Sequence, residues 1–279
     1  MRQKYPIFWR VALINIILLL AGCAHEDPRA SASTFTKKSG LISTYFATKW
    51  INLAAWQRFT PPVTRVRVYI EGDGFAWVSR TKPSADPTPR NSVGLKLAAA
   101  DPSANVLYLA RPCQFIGPPL PAVCTASLWT DKRFSPEVVQ AMDEALSQAL
   151  QPYPQAKIEL VGYSGGATIA TRLAARRHDV VSLRTVAGNL DVAYVNAIHR
   201  VTPMPDALSA IDVAGEVKNL PQRHISGGDD TTVPPEVAKR FQQAAGAQCV
   251  QTEVVPGMNH GSEWAAIWPE LLTRTPACE

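Results

Sequence analysis

The segment with the most specific pattern in this 279-residue chain is Lys157-Ile-Glu-Leu-Val-Gly-Tyr-Ser-Gly-Gly-Ala-Thr-Ile-Ala-Thr-Arg-Leu-Ala-Ala-Arg-Arg177. It begins as a short apolar run typical of a buried strand and ends as a stretch rich in Ala, Leu and Arg, typical of a helix. Between the two, Gly162 and Gly166 remove the side chains that a tight strand-to-helix turn cannot hold. The pattern predicts that Ser164 stands on this turn as an accessible nucleophile.

The remaining chain alternates between strand-like and helix-like segments. Two β-leaning runs at 41–48 and 50–59 predict an antiparallel hairpin, and later strands are expected at 65–70, 105–110, 180–187, 223–226 and 250–255. Strands that alternate with helices favour an α/β domain over 41–279, with a mostly parallel sheet of about eight strands covered on both faces. The Ser164 turn then follows the fifth strand. A flavodoxin-like sheet is the alternative, and it would need neither the hairpin nor this turn.

The N-terminus has the pattern of a targeting segment. Arg2, Lys4 and Arg10 precede an apolar run over 11–20, and Leu20-Ala21-Gly22-Cys23 follows. This ending resembles the lipobox of bacterial lipoproteins. The resemblance implies a signal peptide at 1–22, a lipid on Cys23 that attaches the protein to a membrane, and a polar tether over 23–40. An uncleaved membrane anchor is the alternative, although its apolar run is short for a span of about 20 residues.

Within the lipoprotein resemblance, residue 24 bears on location. An aspartate after the lipidated cysteine tends to retain lipoproteins at the inner membrane, and this chain has Ala24 there. The resemblance therefore implies the periplasmic side of an outer membrane.

The charge balance argues against a nucleic-acid partner. The whole chain carries 28 Lys and Arg against 23 Asp and Glu, a net charge of +5. Three of the positive charges lie in the predicted signal peptide, so the mature chain has 25 − 23 = +2. We find no basic run or basic-aromatic patch in it and predict no nucleic-acid binding.

Four cysteines remain once Cys23 is assigned to lipidation. An even number in an oxidising compartment predicts two disulfides, for which three pairings are possible. Cys113 and Cys124 flank a Pro-rich loop and form the easiest pair, which leaves Cys249 with Cys278. No CxxC or clustered Cys/His spacing is present, so we predict neither a metal site nor a cofactor.

A serine nucleophile needs a base, and His260 is the best candidate among five histidines. It lies in Val254-Val-Pro-Gly-Met-Asn-His-Gly261, a loop between the last strand and the closing helix. Loops at the carboxyl ends of strands are where open α/β sheets build their sites. We therefore predict that His260 lies beside Ser164.

The acid that orients the base is expected in Gly227-Gly-Asp-Asp-Thr-Thr-Val-Pro234. This segment resembles the Gly-x-x-Asp-x-x-Val-Pro segment of many α/β-hydrolases, and the match selects Asp230. The order Ser164, Asp230, His260 is also that of the α/β-hydrolase superfamily. Asp191 is the alternative acid, but its position before 192–199 also suits a helix N-cap.

Acyl transfer also needs N–H groups aimed at the developing oxyanion. The α/β-hydrolase resemblance implies the backbone N–H of Gly165 as one donor and the loop after the third strand as the source of the other. That loop is Glu71-Gly72-Asp73-Gly74 here, where the family more often has His-Gly. We expect the second donor to be the N–H of Asp73, with Gly72 and Gly74 forming the turn.

The resemblance implies a serine hydrolase that passes through an acyl-enzyme. An ester with a small-molecule or lipid-like acyl group is the default substrate, and a peptidase, amidase or acyltransferase would use the same groups. A small insert at 189–220 stands where many members carry a lid. Four aromatic residues near these segments are candidates for an apolar pocket, namely Phe75, Trp77, Tyr163 and Trp264. A non-catalytic envelope lipoprotein is the alternative from another class, and no oligomeric state is predicted.

Overall fold

The computed structural model describes residues 27–246 and 248–278. The predicted signal peptide and Cys23 lie outside these residues, so the lipobox stays a prediction. Across the part of the chain that is described, no helix is both long enough and apolar enough to cross a membrane.

An eight-stranded sheet forms the centre of the molecule, which confirms the predicted α/β fold. Its strands are β1 (Ile42–Ala47), β2 (Asn52–Arg58), β3 (Arg65–Ile70), β4 (Val106–Leu109), β5 (Lys157–Tyr163), β6 (Val180–Val186), β7 (Gln222–Gly227) and β8 (Val250–Val255). They lie in the order β1-β2-β4-β3-β5-β6-β7-β8. The hairpin β1–β2 is antiparallel, β2 is antiparallel to β4, and all later pairings are parallel. The Ser164 turn follows the fifth strand, as predicted.

Helices cover both faces of the sheet. They are α1 (Pro28–Lys38), α2 (Val93–Ala100), α3 (Pro136–Leu150), α4 (Gly165–Arg176), α5 (Val192–Ile198), α6 (Glu236–Ala245) and α7 (Trp264–Thr273). Buried side chains of α3, α4, α5 and α6 form one hydrophobic core, and those of α1, α2 and α7 form the other. The two cores fix the sheet between them, so the loops at its carboxyl edge start from rigid ends.

The expected tether over 23–40 is wrong for residues 28–38, which form α1. Asp27 caps this helix by accepting a hydrogen bond from the Arg29 N–H at 3.0 Å, and Pro28 stands in its first turn. Ala32 and Thr36, one turn apart, are buried on the domain, and Arg29 pairs with Asp86 at 2.6 Å. The Ser- and Thr-rich composition did not predict this helix, because its buried face consists of small residues that give no strong apolar pattern.

Both predicted disulfides are present, Cys113–Cys124 and Cys249–Cys278. The first closes the Pro-rich loop, and the second ties the start of β8 to the end of the chain. The insert at 189–220 holds α5 and a short 3₁₀ helix at Ala210–Val213.

Candidate active site

Ser164 occupies a strained turn between β5 and α4. Its backbone has φ of 50° and ψ of −122°, a conformation that costs a non-glycine residue about 1–3 kcal/mol. The turn is held because the Ser164 N–H donates to the Val186 carbonyl at 3.0 Å and its own carbonyl accepts from Ala167 and Asn189. A folded chain that maintains such strain does so where an exposed side chain is useful.

The two glycines of this turn are required by close backbone contacts. A Cβ at Gly162 would lie 2.5 Å from the Cα of Ala167, and one at Gly166 would lie 2.3 Å from the carbonyl oxygen of Ile70. Real Cβ atoms do not approach other atoms so closely. The helix α4 can therefore start against the ends of β3 and β5 only with glycine at both positions.

The structure brings Ser164, His260 and Asp230 together. His260 Nε2 lies 2.9 Å from Ser164 Oγ, and His260 Nδ1 lies 2.8 Å from Asp230 Oδ2. The Asp230 side chain is fully buried and that of His260 is 21 % exposed. This geometry is that of a nucleophile bonded to a base that a carboxylate orients.

Asp230 is itself held in place by backbone donors. Its Oδ1 accepts hydrogen bonds from the N–H groups of Thr232 and Val233, both at 2.8 Å. The alternative acid, Asp191, points elsewhere: it caps α5 through the Tyr194 N–H at 3.0 Å and pairs with Arg240 at 2.9 Å. The structure thus gives Asp191 a structural role and places Asp230 against the histidine.

Two aromatic residues fix the main chain of His260. The Tyr163 hydroxyl and the Trp264 indole N–H donate to the His260 carbonyl at 3.0 and 3.2 Å. Burial raises the pKa of Tyr163, with Glu71, Asp230 and Asp73 adding to the shift, so its hydroxyl keeps the proton that it donates. Trp264 is fully buried and supports the histidine loop rather than lining an apolar pocket.

The turn Glu71–Gly74 lies directly beside Ser164. A Cβ at Gly72 would be 3.1 Å from the Cβ of Ser164, and Gly74 has φ of 71°, which glycine adopts without strain. Gly165 is the first residue of α4, where N–H groups have no partner within the helix. The structure therefore brings the turn that contains Asp73 and the start of α4 next to the nucleophile, and the N–H groups of Asp73 and Gly165 stay the predicted oxyanion donors.

Glu71, which departs from the family pattern, anchors this turn. Its fully buried carboxylate accepts hydrogen bonds from the N–H groups of Gly72, Gly94 and Leu95 and from the Tyr108 hydroxyl. Burial raises the pKa of Glu71, and these four donors act in the opposite direction by stabilising its charged form. The carboxylate thereby joins the turn to the first residues of α2.

An arginine pair that the sequence analysis missed neutralises Asp73. The Asp73 carboxylate lies 2.9 Å from Arg133 Nε and 3.4 Å from Arg111 Nη1. It also packs against Gly165, because a Cβ there would lie 2.0 Å from Asp73 Oδ1. Burial is the main cause that lowers the pKa of Arg111 to about 10, and the group still carries its charge at neutral pH.

A cavity of about 570 Å³ opens at Ser164 and His260. Phe75, Trp77 and Tyr163 line it, as expected of three of the four candidate aromatic residues. Its wall also contains polar residues that the sequence did not single out, namely Arg90, Asn91, Arg133, Asn189, Asn196 and His199. In residues 27–246 and 248–278, no three His, Cys, Asp or Glu side chains cluster in a way that would hold a metal ion.

Solved structures show which class of protein this fold resembles. An esterase from Pyrococcus furiosus aligns with a TM-score of 0.58 at 14 % identity and covers 87 % of this chain and 94 % of that one. An α/β serine hydrolase homologue from Coxiella burnetii aligns with a TM-score of 0.54 at 17 % identity, over 82 % and 93 % of the two chains. At such low identity the similarity establishes the fold, which is that of the α/β hydrolases.

A second kind of enzyme shares this fold over part of its length. The acylaminoacyl peptidase from Pyrococcus horikoshii aligns with a TM-score of 0.58 at 14 % identity, over 85 % of this chain and 42 % of the peptidase. Comparison of the sequence with protein-family models and with curated protein sequences finds no match.

Proposed function

We propose that the protein is a serine esterase. The observation that carries this proposal is the continuous chain of hydrogen bonds from Asp230 through His260 to Ser164. It stands beside the turn Glu71–Gly74 and the start of α4, the two segments expected to supply the oxyanion N–H groups. A binding protein with this fold would need none of these contacts.

The reaction follows from the geometry in two halves. His260 Nε2 accepts the Ser164 proton as Oγ attacks the ester carbonyl, while Asp230 keeps the imidazole in the tautomer with its proton on Nδ1. The N–H groups of Gly165 and Asp73 stabilise the negative charge of the tetrahedral intermediate. His260 then gives the proton to the departing alcohol. In the second half, His260 accepts a proton from the water that attacks the acyl-enzyme and then returns it to Ser164 Oγ.

A peptidase is the second candidate, favoured by the similarity to acylaminoacyl peptidase. This chain covers only 42 % of that protein, so more than half of the peptidase has no counterpart here. An amide also needs stronger assistance to its leaving amine than an ester needs for its alcohol. We therefore place ester hydrolysis first.

A substrate panel separates the candidates. Purified protein is assayed with p-nitrophenyl esters from acetate to dodecanoate and with aminoacyl p-nitroanilides, alongside Ser164→Ala. The proposal predicts ester turnover that depends on Ser164, and amide turnover lower by a factor of about 100 or more in kcat/KM. Preferential amide cleavage would establish the peptidase, and equal rates for wild type and Ser164→Ala would leave only a binding role.

We further propose that a lipid on Cys23 tethers the enzyme to the outer membrane, facing the periplasm. Two disulfides support an oxidising compartment, since they persist mainly outside the cytosol. Growth with an alkyne fatty acid tests the tether: wild type is expected to incorporate the label and fractionate with membranes, and Cys23→Ser to lose both properties. Unlabelled wild-type protein would contradict it.

A further inference from the structure

Arg90 is a cation at the cavity without an anionic partner. Within the described residues it forms no ion pair and no side-chain hydrogen bond. Its guanidinium lies 3.7 Å from the centre of the Phe75 ring, which also lines the cavity. Stacking on an aromatic face restricts the guanidinium while leaving its edge N–H groups available.

Arg133 brings a second guanidinium to the same cavity. Its Nε lies 2.9 Å from Asp73 Oδ2, and its Nη1 donates to the Thr130 carbonyl at 2.7 Å. Its Nη2 forms no hydrogen bond to any residue that the structure describes. Arg133 can therefore keep its contact with Asp73 and still donate into the cavity.

Asn189 adds a neutral polar group next to the nucleophile. Its main-chain N–H donates to the Ser164 carbonyl at 2.9 Å, which fixes the residue beside the serine. The residue is only 5 % exposed, its side-chain Nδ2 forms no hydrogen bond within the described chain, and its buried Oδ1 is also unpaired. The Nδ2 group can donate to a bound ligand, whereas Oδ1 can only accept.

The acidic residues of the cavity do not compete for these donors. The Glu71 carboxylate already accepts four hydrogen bonds, and Asp73 already pairs with Arg111 and Arg133. The Glu71 and Asp73 carboxylates therefore leave the Arg90 guanidinium, the Arg133 Nη2 and the Asn189 Nδ2 free to donate to a ligand. These donors come from loops after β3, β4 and β6, at the carboxyl edge where α/β sheets bind ligands.

We propose that the cavity selects esters that carry a carboxylate or phosphate group, bound by Arg90 and Arg133 with help from the side-chain amide of Asn189. This inference rests on the proposed esterase activity and narrows its substrate class. Planar guanidinium groups suit such anions because they donate two parallel hydrogen bonds. The anion belongs either to the acyl part or to the alcohol part of the ester.

Two matched pairs of esters test the proposal and separate these two sources. Mono-p-nitrophenyl glutarate is compared with p-nitrophenyl pentanoate for an acyl-side anion, and 4-acetoxybenzoate with its methyl ester for an alcohol-side anion. The measured quantity is the ratio of kcat/KM for the anionic ester to that for the neutral one. We expect a ratio of about 10 or more in one of the pairs, falling about fivefold in Arg90→Gln and in Asn189→Ala.

The ratio makes the test independent of overall activity. A variant with damaged catalysis loses rate on both esters, so only loss of selectivity lowers the ratio. Arg176→Gln is the matched control, because this exposed arginine lies in the last turn of α4, roughly 18 Å along the helix from Ser164, and its ratio should not change. Raising the salt concentration should also lower the wild-type ratio.

Two results would overturn the inference. One is a ratio near 1 in both pairs, and the other is a high ratio that Arg90→Gln and Asn189→Ala leave unchanged. Ser164-dependent turnover of the neutral esters alone would keep the esterase proposal while removing the anion preference. Absence of turnover on every ester would instead contradict the esterase itself.

Discussion

Asp73 places a carboxylate against Gly165, whose N–H is expected to stabilise a negatively charged intermediate. Alone, this carboxylate would repel the oxyanion, by about 3 kcal/mol for two charges 5 Å apart at an effective dielectric constant of 20. Arg133 and Arg111 pair with it and offset the repulsion. At the scale of single residues, the site thus depends on a charge balance as well as on the three side chains that carry the reaction.

This balance predicts a compensating pair of substitutions. Arg133→Gln should lower kcat about tenfold on a neutral ester, because Asp73 then keeps more of its negative charge near the oxyanion. Adding Asp73→Asn to Arg133→Gln should recover most of the loss, which steady-state kinetics would reveal. A double variant slower than Arg133→Gln would contradict this charge balance, because the Asp73 carboxylate would then favour the reaction even without Arg133.

Some of these residues could be predicted from the sequence and others could not, for physical reasons. Ser164, Asp230 and His260 stand in local patterns of turn residues beside predicted strands, so each could be named from its neighbours in the chain. Arg111 and Arg133 have no such pattern, because their roles depend on contacts with Asp73 across about 40 to 60 positions of sequence. Contacts of this kind follow from the packed fold alone.

At the scale of secondary-structure elements, the turn between β5 and α4 positions the nucleophile. Its short apolar strand, its glycines and its helix could all be predicted from the sequence, because each feature has a local cause. Helix α1 was not readable, because its buried face consists of small residues such as Ala32 and Thr36 in a polar segment. Composition alone does not predict such a helix, because packing against the domain stabilises it and no strong apolar pattern marks it.

Gly166→Ala tests the close contact that this turn requires. The added Cβ would meet the carbonyl oxygen of Ile70 at 2.3 Å, and backbone must move to relieve the clash. We expect the free energy of unfolding to fall by about 2–4 kcal/mol in urea titration, together with loss of ester turnover. Gly215→Ala is the control, since a Cβ there meets nothing within 4 Å and should change neither quantity. Equal stability of both variants would contradict the close contact.

At the scale of the whole molecule, two hydrophobic cores and two disulfides hold the sheet on which the site is built. The fold class, the hairpin and both disulfide pairs were predictable, since the pattern of apolar residues and the spacing of the cysteines can be read directly from the sequence. The shape of the cavity was not, because it is formed by five or more loops that meet at one edge of the sheet. This is why the aromatic lining was expected while the arginine and asparagine lining was not.

The disulfide Cys249–Cys278 is expected to stabilise the whole domain. It spans 29 positions against 11 for Cys113–Cys124, so removing it frees the unfolded chain more. Replacing both of its cysteines with Ala should cost about 3–4 kcal/mol, roughly 1 kcal/mol more than the same change at Cys113 and Cys124. Guanidinium chloride unfolding measures both losses. Unchanged stability after loss of Cys249 and Cys278 would contradict this role.

A fluorophosphonate probe tests whether Ser164 is a nucleophile that His260 activates. We expect the probe to label the wild type, peptide mapping by mass spectrometry to locate the adduct on Ser164, and Ser164→Ala to stay unlabelled. His260→Gln should retain the serine but react at least about 100-fold more slowly, because the general base is absent. An unlabelled wild type, or labelling that persists in Ser164→Ala, would contradict the account.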